Sequence, residues 1–355
     1  MPSSGSARYV PLCLLFTALL AALMVLAINL GAVRMHPGWV LKILVNGIAG
    51  WEVFSPEWQA PMARILWNLR LPKVLAAAFI GASLALSGLF MQALTRNPLA
   101  DPFLLGVSSG ASAGAVSVIL LGGLPFIGQF SLPLGAFAGA LAASALVFVL
   151  AQGPVRGAAG RTGGASRLVL TGMAVSALFG ALTNLLIFIN PDAHKIQSAI
   201  FWMIGSLAGI TWEQLPPVVA VFSLGLGMAL ISHPALDILL TGEERALTLG
   251  VDLRVLRPAL IGASALLAAA AVSIAGVIGF VGLVIPHISR MLFGPVHRRL
   301  IPPVCLSGAL FMVTADMLAR ILAKPEEMPV GIITAFTGAP VFLHLLRSGL
   351  GTFPD

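Results

Sequence analysis

Charge is scarce in this sequence. Only 9% of its 355 residues are Asp, Glu, Lys or Arg, against a hydrophobic fraction of 58% and a mean hydropathy of +1.00. A soluble domain of this length needs far more charge to stay in solution, so a soluble globular class is excluded. Cysteine is nearly absent as well. Cys13 and Cys305 stand far apart in apolar surroundings, which gives neither a metal site nor a disulfide framework, and packing is their expected role. Catalytic signatures are missing: there is no His-Glu-x-x-His, no clustered His/Cys set and no nucleophile elbow. The histidines (His36, His194, His233, His287, His297 and His344) are scattered, none at metal-ligand spacing. None of Lys42, Lys73, Lys195 or Lys324 follows a glycine, so no phosphate-binding P-loop exists, and any ATP energy must come from another chain. No clustered basic face of the kind nucleic acid requires is present. No linker rich in Ser, Gly or charge divides the chain, so residues 1–355 read as a single domain.

What the sequence does hold is apolar length. Runs of roughly 20 apolar residues suit a bilayer core. They occur at 11–33, 74–94, 132–150, 168–189, 218–231, 259–275 and 302–318. Shorter runs at 103–121, 278–292 and 330–346 bring the expected number to about ten transmembrane helices. The runs are continuous and rich in Leu and Ala rather than alternating over ~10 residues, which rules against a β-barrel. The first is too long for a signal peptide and reads as a retained anchor. The fold class is therefore an all-α, multi-pass integral membrane domain. The net charge of +7 sits in short loops. Arg156, Arg161 and Arg167 share one loop without an acid, and Arg298 and Arg299 share another. The excess of Lys and Arg on cytoplasmic loops puts both inside, together with both termini, and makes the helix number even.

A weak internal echo links "RLPKVLAAAFIGASLALSG", from Arg70, to "RVLRPALIGASALLAAAAVSIAG", from Arg254. These are the second and seventh expected helices, which cross in opposite directions, as in the inverted repeats of alternating-access transporters. In "GVSSGASAGA" the spacing of Gly106, Gly110 and Gly114 predicts a face that packs tightly on a neighbour, because small residues let helix backbones approach in lipid. Just before it, "RNPLADP" is a break. Pro98 and Pro102 cannot donate backbone bonds, and Asn97 or Asp101 can cap the helix that follows. It is either a simple cytoplasmic turn or a turn at the inner end of a pathway. "TGEERALTLGVDL" has Thr241 and Glu244 at capping-box spacing, acids in the first turn and Gly250 as a stop. It predicts an exposed helix of about eight residues, too short to span and marginal alone, which needs something to dock on. Within the spans, Asp316 and Arg320 are four residues apart and can pair locally. Arg290 is expected to snorkel to the inner interface.

Together these stretches resemble the FecCD-type permeases, the membrane subunits of ATP-driven importers for iron–siderophore complexes, haem and cobalamin. The resemblance rests on "RLPKVLAAAFIGASLALSG", "RNPLADPFLLGVSSGASAG", "GVIGFVGLVIPHISRMLFG" with "HRRLIP", and "MPVGIITAFTGAPVFLHLLRSG", in that order. "FWMIGSLAGITW" and "GEERALTLGV" also fit. It implies a ten-helix permease of the type II importer class in a bacterial inner membrane. That permease would work as a homodimer, with two ATP-binding subunits below and a periplasmic substrate-binding protein above. The subunit itself is not an enzyme and needs no cofactor or metal, since ATP is bound by the partner. By the same resemblance, Gly242, Glu243, Glu244, Leu249 and Gly250 belong to a coupling helix within 241–251. Asn97 and Leu99 match one gate, and Ala165 and Ser166 a second, where the cobalamin member has two small hydroxyl residues and this chain keeps one. Arg70 and Arg320 match arginines that receive acidic residues of the binding protein. The expected cargo is an iron chelate, siderophore or haem, with cobalamin as the alternative. His194 is a lone loop histidine rather than a ligand. An ion-coupled secondary transporter would need acidic or His residues at mid-membrane, and only Asp316 comes close.

Overall fold

The computed structural model describes residues 5–31, 35–123, 125–151, 164–323 and 326–347, and among these every regular element is helical. In chain order they are α1 (Gly5–Asn29), α2 (Pro37–Ala49), α3 (Ala60–Ile65), a π turn (Leu66–Arg70), α4 (Leu71–Thr95), a 3-10 turn (Pro102–Leu105), α5 (Val107–Leu121) and α6 (Ser131–Ala151). There follow α7 (Gly164–Ile189), α8 (Ala193–Ile204), α9 (Leu215–Leu240), α10 (Glu243–Thr248), α11 (Leu253–Ala275), α12 (Val281–Phe293), α13 (His297–Leu322) and α14 (Val330–Arg347). Eight helices among the described residues are long and apolar enough to cross a membrane. The shorter α5 and α12 stand where the third and eighth spans were expected. At 1.5 Å per residue they reach only about 20 Å, less than a ~30 Å hydrocarbon core. Irregular backbone therefore precedes each at depth, which is tolerated only inside protein or beside water. Both short helices start from a left-handed residue: Gly106 (φ 72°) before α5 and Phe280 (φ 69°) before α12. Phe280 has no glycine freedom and is held in place by packing on Gly338 of α14.

The bundle is organised around α4, which is buried along nearly its whole length. Its small residues explain how. A Cβ on Gly88 would overlap the carbonyl of Gly282 in α12, and one on Gly81 would overlap that of Gly308 in α13. Those obstacles are backbone, so no rotamer change relieves them. On the side facing α11, Ser87 Oγ donates to the Ser264 carbonyl at 2.8 Å and lies 2.8 Å from Ser264 Oγ. Ser264 ends the second "IGAS", so the two echoed helices pack directly on each other and run in opposite directions. Close approach between α5 and α6 follows the same rule: Gly110 meets Gly139 and Gly114 meets Gly135. Gly106 is the exception to the expected glycine face. It is the left-handed joint before the helix, with no neighbour closer than ordinary contact.

Three other expectations are corrected. The exposed helix is α10, with six residues rather than about eight, and its first-turn flank is Gly242 at φ 118°. No capping box forms, because Thr241 still has α-helical backbone and its hydroxyl donates back to Ile238 of α9 at 2.8 Å. Arg290 does not snorkel; it is buried against Gln92. The expected sixth span, 218–231, extends in both directions as α9, and a turn at Thr241 and Gly242 joins it to α10. Cys305 is buried and Cys13 half-buried, both as free thiols. Arg156 and Arg161 lie outside the described residues. All six tryptophans, Trp39, Trp51, Trp58, Trp67, Trp202 and Trp212, fall at the end of the bundle opposite α10.

Candidate functional site

Two ends of the bundle concentrate the polar chemistry. At the α10 end, α4 stops at Arg96, a non-glycine residue in the left-handed region (φ 48°). The break then closes on itself. Asn97 Oδ1 accepts from the Leu99 amide at 3.0 Å, and the Ala100 amide donates to the Asn97 carbonyl at 3.1 Å. Of the two capping candidates, Asp101 does the work: it accepts from the Phe103 amide at 2.7 Å and starts the 3-10 turn. The break rests on α12, where Pro102 covers Gly282. Gln92, the one amide in α4, ties α4 to α12 from within. Its Nε2 donates to the Leu283 carbonyl at 3.0 Å, and its Oε1 accepts from Arg290 at 3.0 Å.

The exposed α10 segment is tied to this break. Glu243 forms a short ion pair with Arg257 of α11 and stands 4.0 Å from Arg96. One carboxylate thus links the residue that ends α4, the first turn of α10 and the first turns of α11. Ala246 is buried beneath α10, whereas Leu247 and Leu249 are exposed. Gly250 supplies the left-handed stop (φ 83°), and the Val251 amide reaches back to the Ala246 carbonyl at 2.9 Å. Upstream, the base of α10 is pinned by a contact with no sequence-local signal. Asp237, the one acid of α9, accepts from the backbone amide of His297 at 2.8 Å and lies 2.7 Å from its Nδ1, which fixes the end of α9 to the start of α13.

A cavity of about 920 Å³ opens among these elements, lined by Thr95, Arg96, Leu168, Gly242, Glu243 and Arg257 with their neighbours. The residues expected as gates, Asn97, Leu99 and Ser166, do not line it; Arg96, next to Asn97, and Leu168, two residues after Ser166, do. Ala165 and Ser166 open α7; Ser166 is exposed, and Arg167 donates to the Leu150 carbonyl of α6 at 3.1 Å. The break, the start of α7 and α10 therefore meet around one space. Among the described residues, no three His, Cys, Asp or Glu side chains converge as a metal site. His194 is an exposed first-turn residue of α8, whose amide is capped by Asp192.

At the opposite end, Arg70 and Arg320 converge, but on an internal target. A helix leaves its last carbonyls unpaired. The π turn aims Arg70 at the end of α1, where Nη1 donates to the carbonyls of Ile28 at 2.9 Å and Asn29 at 3.1 Å. Arg320 Nη1 donates to those of Ala27 at 2.9 Å and Leu30 at 3.1 Å. Two cations thus satisfy four successive carbonyls where the helix dipole favours positive charge. The local ion pair anticipated from spacing is also present, with Arg320 Nη2 at 2.6 Å from Asp316 Oδ2. Lys73 bridges Asp316 at 3.3 Å to Glu327 at 2.6 Å. Both arginines are buried in this cluster, and only Glu327 is substantially exposed.

The FecCD transport family matches residues 18–348. The cobalamin import system permease protein BtuC of Halobacterium salinarum is 42% identical, over 93% of this chain and 88% of its own. The hemin transport system permease protein HmuU of Yersinia pestis is 40% identical, over 86% of this chain and 92% of its own. Among solved structures, an inward-facing metal-chelate type ABC transporter superposes with a TM-score of 0.77 at 33% identity, covering 95% of this chain and 99% of that one.

Proposed function

The chain belongs to the FecCD transport family as the membrane permease subunit of an ABC importer, and on that premise we propose that it carries an iron chelate, siderophore or haem, by alternating access. The pathway forms between two copies of the chain. Two separate ATP-binding subunits dock at the α10 end, which faces the cytoplasm, and a periplasmic binding protein delivers cargo at the other. The observation that carries this reading is the position of Glu243. A nucleotide-driven push on α10 reaches Arg96, the end of α4 and the break beyond it through one shared carboxylate, and α11 through Arg257. In this reading Gly242, Glu243, Glu244, Leu249 and Gly250 transmit the ATPase motion. Asn97 and Leu99, with Ala165 and Ser166, open and close the inner mouth.

The relatives support more than one cargo. The hemin permease and the metal-chelate neighbour favour an iron chelate, and the cobalamin permease supports cobalamin as the second reading. The test is ATP-dependent uptake by the chain reconstituted with its ATPase and binding protein, offered ferric siderophores, haem and cobalamin in turn. Uptake of cobalamin alone would reject the iron-chelate reading. Uptake unchanged by Glu243→Ala and Leu249→Asp would reject the coupling role. Docking at Arg70 and Arg320 has a geometric requirement, since an acidic partner must compete there with the α1 carbonyls and Asp316. Salt-dependent binding of the periplasmic protein, weakened by Arg70→Ala and Arg320→Ala, supports docking there; binding by the double variant as tight as wild type at low salt leaves both arginines as caps of α1 only.

A further inference from the structure

The segment between α1 and α4 carries an apolar surface left exposed by the packing of the single chain. In α2, Val40 and Ile43 are buried, and Gly47 lies beneath the ring of Trp67, where a Cβ would sit 2.6 Å from a ring carbon. Trp67 in turn stacks on Trp212 at 5.9 Å between centroids, and its carbonyl accepts from the Trp212 indole N–H at 2.8 Å. This inner face docks α2 on the bundle. The polar side chains of α2 serve a second purpose. Lys42 pairs with Glu57 at 2.6 Å and, outside the spans, holds that carboxyl below its usual range. Asn46 donates to the Phe54 carbonyl at 2.8 Å and accepts from its amide at 2.9 Å, folding 50–57 back along the helix.

What is left over is an apolar stripe. Leu41, Val45 and Ile48 follow the i, i+4, i+7 spacing of one helix face, and Trp51 comes next; Ile48 is 79% exposed and Trp51 72%. Three observations indicate what covers it. α2 lies at the level where α1 ends and α4 begins, which for spanning helices is headgroup depth. The neighbouring spans expose apolar side chains near the same level of the chain, Val25 and Leu26 close to the end of α1 and Leu69 before α4. All six tryptophans are at this end, and tryptophan, with an apolar body and one polar N–H, prefers the membrane–water boundary. We propose that α2 lies in the plane of that boundary, with Leu41, Val45, Ile48 and Trp51 immersed among phospholipid acyl chains and the Lys42–Glu57 pair at the headgroups, as an in-plane anchor for the end of the bundle that receives cargo.

The test is tryptophan quenching of the full-length protein in nanodiscs, comparing wild type with Trp51→Phe. Lipids brominated near the headgroup end of the chain should quench the Trp51 component of the difference spectrum strongly. Deeply brominated lipids should quench it less, and aqueous iodide should leave it nearly unaffected. Quenching by iodide with none by bromolipid would mean that the stripe stands in water, and would overturn the proposal. Protection from both quenchers, with a change of oligomeric state in Ile48→Asp, would mean a protein covers it and would equally overturn it. A nitroxide on Ile48→Cys, in a background without Cys13 and Cys305, gives an independent measurement. It should be accessible to oxygen and shielded from a water-soluble nickel chelate, and the reverse order would reject the anchor.

Discussion

The cluster at the end of α1 and the cluster at α10 use the same side chains, arginine against carboxylate, in opposite surroundings. Asp316 and Arg320 have side chains 2% and 4% exposed, whereas Glu243 and Arg257 are 34% and 37% exposed. A buried pair is costly to break, because the remaining charge has neither partner nor water. A half-exposed pair is screened and contributes little to stability. The α1 end is thus built to stay closed, while the α10 end can exchange partners at little cost. The coupling proposed for α10 would use that asymmetry, since it needs one end to move while the other holds.

The contrast is broken or sharpened by substitutions at either end. Arg320→Ala should have the largest effect, because it strips two α1 carbonyls and leaves Asp316 to Lys73 alone. A loss on the order of 3–5 kcal/mol is expected in equilibrium unfolding of the detergent-solubilised protein. Arg320→Met combined with Asp316→Leu should recover much of it, since removing both charges leaves no orphan. A single-variant loss under ~1 kcal/mol would erase the contrast. Next comes Gly242→Ala. At φ 118° any side chain is strained, and about 1–3 kcal/mol should appear either as lost stability or as a displaced α10 with reduced uptake.

Asp101→Ala removes the cap of the turn before α5 and should cost about 1 kcal/mol. Asp101→Asn keeps the acceptor for the Phe103 amide and should retain most of that stability, measured by thermal unfolding beside Asp101→Ala. Smallest in stability is Glu243→Ala, expected to change unfolding by less than ~1 kcal/mol while lowering uptake. If it destabilises as much as Arg320→Ala, the α10 end is structural and the coupling role fails.

Much of the fold was legible because lipid imposes a length rule and a rule of small residues. The apolar runs mark the eight helices long enough to span and the shorter α5 and α12, and Gly110 and Gly114 reveal a close packing face. Other features depended on distant partners. Nothing around Arg290 indicates Gln92, which is far away in sequence, so an interface role looked as reasonable as burial. The same holds for Asp237 and His297. Gly106 has the spacing of a packing residue but is needed for its backbone. Thr241 and Glu244 have capping-box spacing, yet the chain turns at Gly242, whose left-handed backbone cannot be read from its neighbours. That α10 is exposed and needs a dock was legible from its acids and its shortness, but its tie to Arg96 and Arg257 required the fold.

The glycine-lined burial of α4 also bears on how the chain is made. α4 is the second span to leave the ribosome, yet its closest backbone partners, Gly282 and Gly308, are translated roughly two hundred residues later. Until then Lys73, Ser87 and Gln92 have none of the partners that α11, α12 and the 326–329 segment provide. A nascent α4 must therefore wait beside other proteins or accept a loose, polar-inward placement in lipid. The bundle can close only after synthesis has passed α13. Any premature stop before that point leaves a helix whose small-residue grooves and polar groups have nothing to fit, a ready substrate for membrane quality control.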